Sequence, residues 1–214
     1  MRAVLSLAFL LTLASFAFPA AAAVIVGKAT EVEGDVKVTT GKTTGDLKKG
    51  YDVLQDDVIV TGKGAHVRIL FKDQTDLTMS EKGKLTVDTF IYDPASPSKG
   101  KAHLGILGAA FSFIGGLIDK GPKPDVTIDL DFGSIGIRGT TIYRAMHNRE
   151  CWIFVQKGTI SVGNAAGEVT LQAGEGTIMS DKAKAPVSPR TWTRKEIRWI
   201  KAEAAGRHPG MDDW

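Results

Sequence analysis

Val126-Thr127-Ile128-Asp129-Leu130-Asp131 alternates apolar with polar side chains, and Gly133-Ser134-Ile135-Gly136-Ile137-Arg138-Gly139-Thr140 follows directly. Successive side chains leave opposite faces of a strand, so a strict period of two marks a half-buried β-strand. Strands are expected to resume at Thr141 to Ala145 and at Trp152 to Val155. Working outward, Val36 and Val38, His66 to Phe71, Leu77 and Met79, and Leu85 and Val87 repeat the alternation. Ile160 and Val162, then Val169 and Leu171, make a hairpin around Asn164 to Gly167. Each run is short and bounded by Gly, Asp or Asn. The chain therefore reads as an all-β sandwich or rolled β domain of many short, mostly antiparallel strands.

Leu104 to Ile118 is apolar almost throughout, with glycines at 105, 108, 115 and 116. Each glycine disfavours a helix by about 1 kcal/mol relative to alanine. The stretch is expected to form a buried strand, a glycine-marked bend and a second short strand. Pro94 to Lys101 reads as an exposed loop. Two segments look alike: Gly34, Leu47, Gly50 and Asp57 share their spacing with Gly158, Leu171, Gly174 and Asp181. They predict two similar β-turn-β units at opposite ends of one domain.

The two ends of the chain differ from this core. Arg2, an apolar run from Ala3 to Phe18, Pro19 and then Ala20 to Ala23 have the layout of a cleavable secretory leader over 1–23. The run is shorter than the roughly 20 residues that span a bilayer. The β domain is assigned to 24–185. Residues 186–214 then give a Pro-containing linker, a short amphipathic α-helix and a loose tail. Thr193 and Glu196 form a capping box, with Trp192 and Ile197 placed as a hydrophobic staple. Ile197, Ile200 and Ala204 line one helical face, and Gly206 and Pro209 end it. The expected location is the periplasm or the exterior.

Composition excludes several functions. The formal charge of +3 includes Arg2 of the leader, leaving +2, so neither nucleic acid nor an anionic membrane is the expected partner. Cys151 is the only cysteine, which rules out an internal disulfide. Its setting, Cys151-Trp152-Ile153-Phe154-Val155, reads as a buried strand holding an inert thiol.

The order of these motifs resembles the FecR periplasmic domain family. Gly34-Asp35-Val36, then Leu47, Gly50 and Asp56-Asp57-Val58-Ile59-Val60-Thr61, is similar to its opening pattern, which ends in G-D-x-I-x-T. Asp56 stands where that pattern has glycine. Ala65 to Leu77 resembles a-x-V-x-x-x-F-x-D-G-S-x-L, with Gln74 in place of the glycine and Thr75 in place of the serine. Ile137-Arg138-Gly139-Thr140 matches the family's RGT element, and Gly158 to Gly174 its closing hairpin. The likeness covers about Ala29 to Asp181. It implies an envelope interaction or sensing domain. The best-known members pass a signal to a sigma factor through a cytoplasmic segment and a membrane span. This chain offers the leader, the domain and a short helix instead, so sigma-factor contact is not carried over.

The motif residues are Arg138, Gly139 and Thr140. Arg138 is expected either as a latch, its planar fork held near the core by Asp57 or Asp73, or as part of a partner surface. No nucleophile–base spacing, HExxH, G-x-S-x-G or P-loop is present, and His66, His103, His147 and His208 are far apart. Asp125, Asp129 and Asp131 could share a strand face, but too few oxygens gather for calcium. The reading is a non-enzymatic domain without metal or cofactor, whose partner is another cell-envelope protein, engaged through a strand edge. A polysaccharide or small-ligand binder, using Trp199 and Trp214 as a stacking platform, is the alternative.

Overall fold

The computed structural model describes residues 24–121 and 123–208. The expected leader, Pro122, and Pro209 to Trp214 lie outside the described residues. The strands run β1 (Ile25–Glu33), β2 (Val36–Thr40), β3 (Thr43–Asp46), β4 (Asp52–Leu54), β5 (Val58–Thr61), β6 (His66–Phe71), β7 (Asp76–Met79) and β8 (Lys84–Ile91). After a single 3-10 turn at Pro97–Lys99 come β9 (Lys101–Leu107), β10 (Phe111–Ile114), β11 (Asp125–Asp129), β12 (Ser134–His147) and β13 (Glu150–Asn164). The chain closes with β14 (Gly167–Gln172), β15 (Glu175–Met179), β16 (Arg190–Thr191) and a helix, α1 (Arg194–Ala204).

All the strands join one rolled sheet, ordered β3-β2-β5-β8-β9-β11-β12-β10-β7-β6-β1-β4, with β13 to β16 continuing from β12. The pairing is antiparallel except between β9 and β11. The inward residues of nearly every strand meet in one core, among them Ile59, Ile69, Leu77, Leu85, Ile106, Phe111, Ile128 and Ile153. The apolar stretch from Leu104 resolves as expected into β9, a bend at Gly108 and β10. The two look-alike units also fold alike. Gly50 donates to the Ala29 carbonyl and Gly174 to the Val155 carbonyl, each at 2.8 Å, and Leu47 and Leu171 are both buried.

The longest strands carry the organisation. One edge of β12 pairs with β13 along most of its length. Its other edge is shared: Ser134 to Gly136 pair with β11, and Thr141 to Arg144 with β10. Between them, at Arg138-Gly139-Thr140, the register shifts and Gly139 adopts φ +67°. That left-handed conformation suits glycine, which has no Cβ to clash. The pairing with β13 shifts a second time between Thr141 and Ile142, and across the two shifts the strand's inward series reverses. Ile135 and Ile137 point into the core before it, and Ile142 and Arg144 after it.

Past the bulge the second face is buried too. Ala145, Trp152 and Phe154 join Trp192, Trp199 and Ile200 in a separate cluster beneath α1. Burial on both faces explains the unbroken apolar run Cys151 to Val155. The helix begins with the expected capping box: Thr193 Oγ1 accepts from the Glu196 amide, and Glu196 accepts from the Thr193 amide. At its end Arg207 donates to Ala202 and Gly206 to Glu203, a Schellman closure with Gly206 at φ +72°. No helix among the described residues is long and apolar enough to cross a membrane.

Candidate functional site

The segment after β10 wraps over the bulge of β12 and holds it. Asp119, 1% exposed, accepts from the backbone amides of both Gly139 and Thr140, the latter at 2.7 Å. Gly115 donates to the Thr140 carbonyl at 2.9 Å. A Cβ on Gly115 would lie 1.7 Å from Asp119 Oδ2, so only glycine lets the carboxylate reach these amides. Burial pushes the Asp119 carboxyl above its ordinary range. The two amides and Lys120 oppose the shift, while nearby Asp73 adds to it. Thr140 Oγ1 is buried, with no hydrogen-bond partner among the described residues.

These contacts correct the expected latch. Arg138 is exposed, and neither Asp57 nor Asp73 holds it. Asp57 is buried in the turn before β5, where it accepts from the Leu54 amide at 2.9 Å and from the Thr40 and Tyr51 hydroxyls. Asp73 is buried in the β6–β7 turn, accepting from the Thr75 amide and hydroxyl, each at 2.9 Å, and from the Ile118 amide at 3.3 Å. Each aspartate serves its own turn and ties it to one distant segment, Thr40 for Asp57 and Ile118 for Asp73. Thr140 is buried as well, so of the five motif residues Arg138 alone stands clear of the protein.

Arg138 rises beside an open groove of about 330 Å³ across β11 to β14. Register lines up Thr127, Gly136, Ser161 and Thr170 as one row over four strands. Gly136 leaves the floor of that row open, since a Cβ there would lie 2.8 Å from Ser161 Oγ. Asp125, also lining the groove, is engaged by Lys101 at 3.3 Å. The result is a guanidinium without a carboxylate partner among the described residues, above a shallow floor of hydroxyls. Such a surface suits a planar anionic group.

The buried arginine is Arg144, six residues on, which sequence reasoning passed over. It is fully buried. Its guanidinium donates to the Ala109 carbonyl, to Asp131, to Met146 Sδ at 3.0 Å and to Cys151 Sγ at 3.2 Å. The visible signal was Gly139: a bulge there puts Arg144 in the same inward series as Ile142. Cys151 is buried as expected, and burial raises its thiol pKa despite the neighbouring guanidinium. The three aspartates weighed for a cation each face a cationic or ionisable side chain: Asp125 faces Lys101, Asp129 faces His103 at 2.8 Å, and Asp131 faces Arg144.

The stacking platform also needs correction. Trp199 is buried, with its ring 5.7 Å from Trp152 and 5.1 Å from His147, and Trp152 and Trp192 lie in the same cluster. Trp214 lies outside the described residues. The helix buries a wider arc than its Ile197–Ile200–Ala204 stripe suggested, because it lies against three strands and not one groove.

Two solved structures of a candidate anti-sigma factor from Parabacteroides distasonis share this fold. They superpose with TM-scores of 0.52 and 0.53 at 11% sequence identity, over 66% of this chain. The match spans 62% of that protein's chain. At such identity the likeness concerns the fold. No protein-family model matches the chain, and no curated protein matches it.

Proposed function

We propose that the chain is an exported, non-catalytic interaction domain of the FecR kind, which binds another cell-envelope protein through the groove beside Arg138. One observation carries this reading: the most conspicuous residue of the motif is held at the surface by a buried clamp, with no internal partner of its own. Arginine anchors are common in protein interfaces because one fork can satisfy a carboxylate bidentately. The groove presents hydroxyls, a guanidinium and Asp125 but neither histidine nor thiol, which suits recognition better than bond-making. A fold shared with a candidate anti-sigma factor supports a regulatory, sensing type of role. The expected partner segment carries an exposed carboxylate.

The test places a photo-reactive residue at Thr170, on the groove, and separately at Thr44, on β3 at the other end of the sheet. Cross-linking in cells should capture one defined envelope protein from Thr170 alone, and Arg138→Ala in the same background should abolish it. Capture from both positions, or capture unaffected by Arg138→Ala, would overturn the reading.

A further inference from the structure

On the side of the molecule where α1 ends, β1 and β6 bring together Glu31, Glu33 and His66. Register sets Glu33 directly opposite His66 and Glu31 opposite Arg68, so both carboxylates flank the imidazole on one face. One donor atom from each of the three residues can be chosen so that all lie within 4.8 Å of one another. His66 Nε2 is 3.9 Å from Glu31 and Nδ1 is 3.8 Å from Glu33. These separations exceed hydrogen-bonding range. The two approaches lie at opposite edges of the ring, so an ion would take one nitrogen, and the two exposed glutamate side chains would swing in to meet it with bonds of about 2.0–2.1 Å. The imidazole is mostly buried, with 18% of its side chain exposed, yet among the described residues neither ring nitrogen has a hydrogen-bond partner. Arg68, opposite Glu31 and close enough to feel its charge, is held by Asp76, which it contacts through Nε at 2.9 Å and Nη2 at 2.5 Å.

We propose that Glu31, Glu33 and His66 form a binding site for a divalent cation of the zinc class. One imidazole nitrogen with two carboxylate oxygens is a donor set for borderline-soft metals, whereas calcium prefers more oxygens. An open groove of about 270 Å³, lined among others by Glu31, His66, Ala205 and the paired Arg68 and Asp76, gives entry from solvent and room for completing waters. The site also touches the helix. Gly206, which closes α1, lies so close that a Cβ there would be 3.6 Å from His66 Nδ1. A helix C-terminus carries partial negative charge, which adds to the attraction for a cation. The bound ion would therefore fasten β1 and β6 beneath the end of α1 and raise stability through linkage. This inference is independent of the Arg138 groove.

The experiment titrates Zn²⁺ into chelator-stripped full-length protein, followed by calorimetry and thermal unfolding. One equivalent should bind and raise the melting temperature. Glu33→Gln, at a residue 66% exposed and so harmless to the fold, should weaken binding by at least about tenfold. Glu31→Gln should do the same. Glu203→Gln, which removes the neighbouring carboxylate that pairs with His208 at 3.0 Å, should leave the affinity unchanged. Absence of saturable binding overturns the proposal. So does binding that survives both glutamine variants, or that depends on Glu203 instead.

Discussion

Strand β12 carries two arginines six residues apart, on opposite sides of one bulge, and they have opposite fates. Arg138 lies in the motif that draws the eye and ends exposed, without a carboxylate. Arg144 lies in no motif and is fully buried, touching a carboxylate, a carbonyl and two sulfur atoms. What separates them is the pair of register shifts from Arg138 to Thr141 and from Thr141 to Ile142, across which the inward series of the strand reverses. The Arg138-Gly139-Thr140 stretch thus marks a break in the strand, with Arg138 at the surface before it and Arg144 in the interior after it.

The largest effect is expected where the interior arginine is removed. Arg144→Ala strips the Ala109 carbonyl of its guanidinium donor, leaves Asp131 only the Gly108 amide at 3.2 Å, and opens a cavity among Cys151 and Met146. Breaking a buried pair from one side costs about 3–5 kcal/mol; with Asp131 28% exposed the lower end is expected, to be read from denaturant unfolding. Replacing both partners, Arg144→Met with Asp131→Leu, should recover most of that loss. If Arg144→Ala instead unfolds with the wild-type midpoint, the contrast between the two arginines collapses.

Next comes the clamp between them. Asp119→Asn presents an amide to two backbone donors, and one of them must lose its acceptor, at about 1–3 kcal/mol. The effect should depend on pH. The folded-state pKa of Asp119 lies above its ordinary value of 3.8, so the native state binds its proton more readily than the unfolded chain. Stability from this group therefore rises as pH falls through the raised value towards 3.8, and the gap between wild type and Asp119→Asn should widen on acidification. Glu196 supplies an internal contrast. Its pKa is lowered to about 2, first by Arg190, so its contribution is present above 4.5 and fades as pH drops below that value. A gap that narrows towards acid would show that Asp119 is not the strained carboxylate its burial implies.

Much of this fold was legible in the sequence because period-two alternation reports a face directly. The strands around Ile128, the bend at Gly108 and the capping box at Thr193 all follow from local chemistry. The bulge was legible only as a glycine, and its consequence, Arg144 turned inward, needed the parity of the whole strand. Asp119 was not legible at all. It sits in a loop without period, and its function depends on Gly115 permitting an approach that no spacing rule encodes. Asp57 and Asp73 were expected as partners of Arg138, but each serves its own turn and one distant donor, Thr40 for Asp57 and Ile118 for Asp73. Glu33 and His66 meet only through the register of β1 and β6, which the sequence does not state.

The departures from the family pattern give a smaller and sharper test. Asp56 and Gln74 replace glycines of that pattern, and both adopt positive φ, 66° and 71°. The backbone keeps the turn that glycine would make easily, at a cost of about 1–2 kcal/mol for a residue with a Cβ. Gln74 heads the support beneath the bulge, for Thr75 Oγ1 accepts from Gly116 and the Asp73 carbonyl accepts from Leu117. Gln74→Gly should stabilise the domain by up to about 1 kcal/mol, less than the full strain because glycine also loosens the unfolded chain. A destabilising result would mean that the side chain of Gln74 contributes more than its backbone costs, and the resemblance at that turn would lose its physical basis.

The smallest change in stability is expected at Arg138. Its side chain is exposed and ends in no ion pair, so Arg138→Ala should unfold within about 0.5 kcal/mol of wild type. The same substitution should remove cross-linking from Thr170, because the partner loses its one guanidinium in the groove. The pairing of these two outcomes is what discriminates. Loss of capture with unchanged stability assigns Arg138 to recognition, and Arg144→Ala cannot mimic it without a fall in the unfolding midpoint. A marked loss of stability in Arg138→Ala would make both arginines structural and leave the groove without its anchor. Charge reversal, Arg138→Glu, extends the argument: a carboxylate on the partner would then be repelled, so binding should fall below that of the alanine variant. Equal capture by the alanine and glutamate variants would show that the partner presents no anionic group to this position.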